Sequence, residues 1–316
     1  MTVDSQRTCT LTDGHAGNVR QAQALARALG RSADEIVLAP RAPWRWTAPR
    51  ALPGAYQAFG PAFHAAWDLP PALAIGCGRQ AALATRLLRD RGSRAIQILD
   101  PRIDPSHWDL VIAPEHDGLT GPNVLTLSGS LNPVDDAWLS DARAAFPSLA
   151  ALPSSRTALL IGGGSAHYHF DAAAFARLAS LLDDAIGTGS LLVTTSRRTP
   201  ADVVQALRQR YAARADTVLW CDPSDGPNPY AGLLAWADRI LCTPDSVNML
   251  SEACATAAPV HVFEPARVSG RPRLFLDALL ERGRIRALTA ALSPFDVEPL
   301  RETARIAAEV RARLSL

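Results

Sequence analysis

Between residues 237 and 253 an apolar strand pattern, Ile240 to Cys242, runs into a polar elbow, Thr243-Pro244-Asp245-Ser246. A helical pattern follows, with Val247, Leu250 and Ala253 turned toward a core. Thr243 or Asp245 suits the helix cap, and Pro244 or Ser246 its first turn. A helix start of this kind aims free backbone N–H groups at whatever lies above the sheet, which favours a phosphate. About two turns further on stands Glu252, an acid able to accept hydrogen bonds from sugar hydroxyls. Phosphate donors followed by a hydroxyl-reading acid have the chemistry of a nucleotide-sugar site. A capped surface helix with one solvated Glu has the same local pattern, so the rest of the chain must decide.

Elements able to position such a site recur throughout. Thr8 to Leu11 reads as a strand, followed by the turn Thr12 to Asn18 and a helix that stops at Gly30. Further strands are expected at 35–38, 72–75, 94–99, 109–113 and 124–127. Polar or Gly-rich residues follow several of them, Gly76-Cys77-Gly78-Arg79 and Asp100-Pro101-Arg102 among others. Open α/β sheets place their ligands at those strand ends. The glycines at 14 and 17 lack the full dinucleotide-binding spacing.

The segment 147–155 reads as a linker, after which the pattern begins again. The second series has strands at 157–161, 190–193, 217–220 and 240–242, and a last one at 260–263. Helices are expected over 171–186, 200–211, 273–282 and, closing the chain, about 297–314. This predicts an α/β protein of two doubly wound Rossmann-like domains facing a cleft. Residues 1–150 form the first, residues 151–295 the second, and 296–316 a C-terminal helix packing back on the first. Arg198 reads as a solvated neighbour of Arg197, and Asp238 with Arg239 as a surface pair. The loop 40–50 mixes proline with Trp44, Arg45 and Trp46, ahead of an aromatic segment ending at Trp67. It suits a membrane surface or an apolar acceptor, or simply a loop packed over the core.

Composition excludes several classes. A chain of 316 residues, 48% hydrophobic and 20% charged, folds and has room for two domains. A net charge of +1 gives no reason to expect a nucleic-acid partner. All 32 basic residues are arginine, a bias that weakens any single Arg as a signal. The five cysteines are scattered, with neither disulfide nor zinc spacing. With no apolar signal core and no long apolar run, a cytoplasmic location is expected, peripheral to the inner membrane face if the Trp/Arg loop acts there.

The order of these motifs resembles the GT-B glycosyltransferases, and most of all the mitochondrial-fission Elm-like family in a bacterial form. The matching residues are Asp13 to Asn18 with Gln21, Gly76 to Arg79, Asp100-Pro101, His116-Asp117 and Gly121 to Val124. In the second half they are Ile161-Gly162-Gly163, Thr195 to Pro200, Asn228-Pro229-Tyr230 and Thr243 to Ala253. The resemblance implies a nucleotide-sugar donor on the second domain and an acceptor, a lipid or polysaccharide, on the first. Position by position it puts Gly163, Gly164 and Ser165 near the diphosphate, with Ser196 and Arg197 beside it. Asp245, Ser246 and Asn248 would meet phosphate or sugar, and Glu252 the ribose. Gly14, Gly17, Asn18, Gly76, Gly78 and Arg79 would line the acceptor side. No cofactor or metal is implied, since helix N-termini and Arg can stabilise the departing diphosphate.

An inverting transfer needs a base. Asp13 is the first candidate, His15 the second and His116 the third. Their plainer readings are a helix cap for Asp13, a turn residue for His15 and a support for the Asp117 loop for His116. The implied function is a metal-independent glycosyltransferase with its acceptor at or near the cytoplasmic membrane. The alternatives are a non-catalytic adaptor that recruits protein partners and a nucleotide-sugar 2-epimerase.

Overall fold

A computed structural model describes residues 4–290 and 292–316, with side chains from Arg7 onward. The chain divides into two compact units, Met1–Pro133 with Glu302–Leu316, and Val134–Arg301.

The first unit holds strands β1 (Asp4–Thr12), β2 (Asp34–Val37), β3 (Pro71–Cys77), β4 (Arg94–Ile98), β5 (Leu110–Pro114) and β6 (Val124–Leu127). Its helices are α1 (Ala16–Ala28), α2 (Trp44–Thr47), α3 (Pro61–Asp68) and α4 (Arg79–Asp90). All pairings are parallel, in the order β2-β1-β3-β4-β5-β6. Parallel strands need crossover connections, here mostly helices, which cover both faces and make near-continuous apolar strands. The two-residue period sorts the side chains. Leu73, Ile75 and Cys77 of β3 join the layer of α1, while Ala74 joins Cys9, Leu11 and the layer of α3 and α4.

The second unit opens with α5 (Asp136–Ala145), then β7 (Thr157–Ile161), α6 (Ala172–Ile186), β8 (Leu191–Thr195), α7 (Ala201–Tyr211) and β9 (Thr217–Trp220). It continues with α8 (Tyr230–Trp236), β10 (Arg239–Cys242), α9 (Val247–Cys254), β11 (Val260–Val262), α10 (Gly270–Glu281) and β12 (Ile285–Ala287). The order β12-β11-β10-β7-β8-β9 is again parallel throughout.

The division falls at Pro133, ahead of the Pro/Ser segment expected to be the linker. Asp135 caps α5 by accepting from Trp138 N at 2.7 Å, and Leu139 and Ala142 enter the second unit's core. Gly232 lets α8 approach α5's end, since a Cβ there would lie 2.7 Å from Phe146 Cβ. The last helix, α11 (Glu302–Leu314), starts later than expected and belongs to the first unit. Residues 292–301 before it have no regular secondary structure and stay with the second unit. Leu300 N donates to Cys254 O at 2.8 Å, and Arg301 forks onto Asp136 at 2.9 and 2.7 Å. From Glu302 on the bonds change side: Glu302 accepts from Ser128 N at 3.2 Å, and Thr303 from Asn132 N at 3.0 Å. Strand β12, with only Ile285 of its three residues buried, had no apolar pattern to announce it.

Candidate functional site

Each sheet reverses its strand order once, between β1 and β3 and between β7 and β10. Neighbouring crossovers leave there in opposite directions, so the loops beyond the strand C-termini flank an uncovered crevice. Each reversal carries a polar cluster.

In the first unit the turn after β1 meets the turn after β3. Asp13 Oδ1 accepts from His15 N at 3.1 Å and from Asn18 Nδ2 at 2.9 Å, and Oδ2 lies 3.0 Å from His15 Nδ1. Burial alone would raise the Asp13 pKa, but the hydrogen bonds from Asn18 and His15 outweigh it and hold the carboxyl below the usual range. Asp13 is therefore a poor proton acceptor. The cap position of α1 is His15, not Asp13. With Nδ1 on the carboxylate, the neutral imidazole carries its lone pair on Nε2, and the ring is 79% exposed.

Gly14 and Gly78 take positive φ, +76° and +91°, and a Cβ on Gly78 would lie 2.8 Å from Asn18 Nδ2. Gly76 is as tight, 2.6 Å from Thr85 Cγ2. Gly17 lies in the first turn of α1. Cys77 Sγ donates to Asn18 Oδ1 at 3.6 Å, and burial pushes its thiol far up. Arg79, at the start of α4, donates to the carbonyl of Arg45 at 3.3 Å. His116 does not join this cluster. It follows β5, with β3 and β4 between it and β1, about 14 Å across at ordinary strand spacing.

In the second unit three loops interlock. Gly162 N donates to Thr243 Oγ1 at 2.8 Å, Gly163 N to Asp245 Oδ2 at 2.9 Å, and Thr243 Oγ1 to Asp245 Oδ1 at 2.7 Å. Arg198 Nη2 reaches Asp245 Oδ2 at 3.0 Å, and Thr199 Oγ1 bonds the Gly162 carbonyl. Glycine is required at 162 and 163 by this approach: a Cβ would sit 2.2 Å from Asp245 Oδ1 and 2.2 Å from Arg198 O, respectively. Gly164 is less crowded, with only Tyr168 O near, at 4.0 Å.

Several expectations change here. The Asp245 side chain is 0% exposed, so it braces the loops and offers no carboxylate to a ligand. Arg198, expected to be a solvated neighbour, is the partner of that buried acid, while Arg197 is exposed and makes no ion pair among the described residues. Arg239 and Asp238 do not pair as a surface couple. Asp238 takes Arg156 at 3.1 Å, and Arg239 reaches Thr157 Oγ1 at 2.8 Å. Nothing in the sequence separates the two arginines 197 and 198; the phase of the β8 loop does.

Ser246 caps α9, accepting from Met249 N at 3.3 Å, and Asn248 lies half-buried in the first turn. Glu252 is not a solvated surface acid: it is 2% exposed and accepts a hydrogen bond from Tyr230 Oη. Tyr230, which begins α8, is thereby added to the cluster. Ser196 turns its loop, its Oγ accepting from Arg198 N at 3.2 Å, and Ser165 Oγ likewise accepts from His167 N at 3.2 Å.

Two parallel doubly wound sheets of this kind define a GT-B-like fold, and solved structures of that fold are similar along nearly the whole chain. The UDP-GlcNAc 2-epimerase of Neisseria meningitidis bound to UDP-GlcNAc is 12% identical with a TM-score of 0.54, covering 97% of this chain and 100% of its own. A variant of the wall teichoic acid polymerase TagF is 11% identical with a TM-score of 0.51, covering 99% of this chain and 90% of its own. At such identities the likeness is one of fold. Residues 16–314 match the model of the mitochondrial fission ELM1 family, and the chain belongs to that family. The mitochondrial fission protein ELM1 of Arabidopsis thaliana is 30% identical over 276 residues, 78% of this chain and 64% of the plant protein's length.

Proposed function

We propose that the chain is a metal-independent glycosyltransferase. In this reading the second unit binds a nucleoside-diphosphate sugar, and the acceptor is a lipid or polysaccharide hydroxyl at the cytoplasmic membrane. The observation that carries the reading is the interlocked cluster at the β7/β10 reversal. Its buried Asp245 carboxylate, held by the half-exposed Arg198, fixes three loops around the Ser246-capped start of α9.

The first-turn amides of α9, Ser246 and Asn248 would take diphosphate oxygens, helped by the dipole of the helix. Arg197, exposed and without an ion pair among the described residues, would offset the charge that grows on the leaving group. Glu252, buried and accepting from the Tyr230 phenol, would hold that half-buried hydroxyl toward the ribose. Transfer requires the acceptor oxygen to bond the anomeric carbon while the bond from that carbon to the diphosphate breaks. His15 Nε2 takes the acceptor's proton, and Asp13 orients the ring and stabilises the imidazolium. His15 thus moves ahead of Asp13 as the base.

The test is a thermal-shift series with UDP, GDP, CMP, dTDP and their sugar conjugates, since a ligand that binds only the folded state raises the midpoint. One nucleotide is expected to shift the wild type, and the shift is lost in Glu252→Gln and reduced in Arg197→Ala. Change of the bound sugar's configuration with no acceptor present would make the chain an epimerase. No shift with any nucleotide would favour a partner-recruiting role of the kind the plant relative's name suggests.

A further inference from the structure

The segment that links β2 to β3 leaves the sheet at the end that carries the Asp13–His15 pair. Leu38 N bonds Thr12 O at 2.7 Å, Arg41 N bonds Ala58 O at 3.0 Å, and Arg79 at the start of α4 holds the Arg45 carbonyl at 3.3 Å. Residues two apart on a helix point to opposite sides, and α2 uses this. Trp44 packs into the core of that layer, its ring 3.5 Å from where a Cβ would stand on Gly54. Trp46 points away and is 70% exposed. Further along the same segment Leu52 and Tyr56 are also exposed apolar side chains.

The charge is one-sided. Between Glu35 and Asp68 the chain has no acidic residue, and its arginines Arg41, Arg45 and Arg50 are all exposed. An exposed indole in a stretch whose charged residues are all exposed arginines is complementary to an anionic bilayer, where the indole lies at the headgroup level and each cation gains from the surface potential. A protein partner of ordinary composition would not call for so complete an exclusion of acids.

We infer that this surface, centred on Trp46 with Arg41, Arg45 and Arg50, docks the first unit on an anionic lipid bilayer. Arg79 ties the docking segment to the glycine turn beside the Asp13–His15 pair, so a lipid-borne acceptor would arrive at the end of the sheet where the base stands. That role for the acceptor rests on the transferase reading; the docking itself does not, and is measured without nucleotide.

Co-sedimentation of the full chain with phosphatidylcholine vesicles, with and without phosphatidylglycerol, tests it. Binding is expected only with phosphatidylglycerol, weakening as salt rises. Arg45→Gln should lower the affinity about fivefold, and Trp46→Ser should abolish quenching of Trp fluorescence by brominated lipid at the surface. Arg31→Gln, at the opposite end of α1, should change nothing. Unchanged unfolding midpoints in these variants show that they fold. Equal binding to neutral vesicles, no binding to either, or an equal loss with Arg31→Gln overturns the assignment. A dimer that Trp46→Ser dissociates, with no lipid binding in the wild type, overturns it in favour of self-association.

Discussion

The two order reversals occupy equivalent places in their sheets and are built oppositely. At β7/β10 the acid is fully buried and its oxygens are consumed by a loop amide, a hydroxyl and a guanidinium. At β1/β3 the acid is partly open and holds a histidine whose other nitrogen faces solvent. A buried carboxylate with all its partners makes a rigid frame, because losing any partner strands a charge in a medium that solvates it poorly. An exposed Asp–His pair can change protonation at little structural cost. The first arrangement suits holding a ligand, and the second suits moving a proton.

Removing the buried acid is the largest test of that contrast. Asp245→Ala leaves the buried Gly163 amide and Thr243 hydroxyl without their partner, and should cost about 2–3 kcal/mol in urea unfolding. Asp13→Ala should cost about 1 kcal/mol. Equal losses would mean that the two clusters are the same kind of structure.

The next effect is on rate. His15→Ala and Asp13→Asn should each lower turnover about a hundredfold at nearly unchanged KM and unchanged midpoint. A loss confined to KM would make the pair a binding feature.

Acid should separate the units as well. His261 of β11 is buried among Arg239, Arg286 and the ring of Phe295, with neither ring nitrogen hydrogen-bonded. Burial first, then the two arginines, push its pKa down from 6.5 to about 4. The unfolded chain therefore binds a proton that the folded one refuses, and stability falls as pH drops from about 6.5 toward about 4. We expect about 2 kcal/mol. Asp13, held below its usual 3.8, stays ionised through that window. Amide exchange at pH 5 should thus open the second unit first, and His261→Leu should cancel the difference. The smallest effect is that of Arg197→Ala, about tenfold in nucleotide affinity with stability within 0.5 kcal/mol. The same substitution at Arg198 should cost stability as well.

Much of the architecture was legible because it depends on neighbours in sequence. The runs Thr157–Ile161 and Leu110–Pro114 are buried along their whole length, so an apolar strand with a polar end reads directly from the letters. Strand β12 and the start of α11 were not legible, since three residues with one buried side chain and an irregular Pro-containing approach carry no periodic signal.

The sequence by itself determined the class: parallel strands, glycines where loops must close, and acids and a histidine at the strand ends. What it left open was which side chain takes which partner. Gly163 and Asp245 stand 82 residues apart, and the strand order β10-β7-β8 brings them together and turns Arg198 toward the acid, leaving Arg197 outside. The proposal of His15 rather than Asp13 as base likewise rests on which hydrogen bonds the folded turn supplies. Local pattern is set by burial over a few residues, but the basicity of a group is set by everything within hydrogen-bonding reach, and only the tertiary fold assembles that.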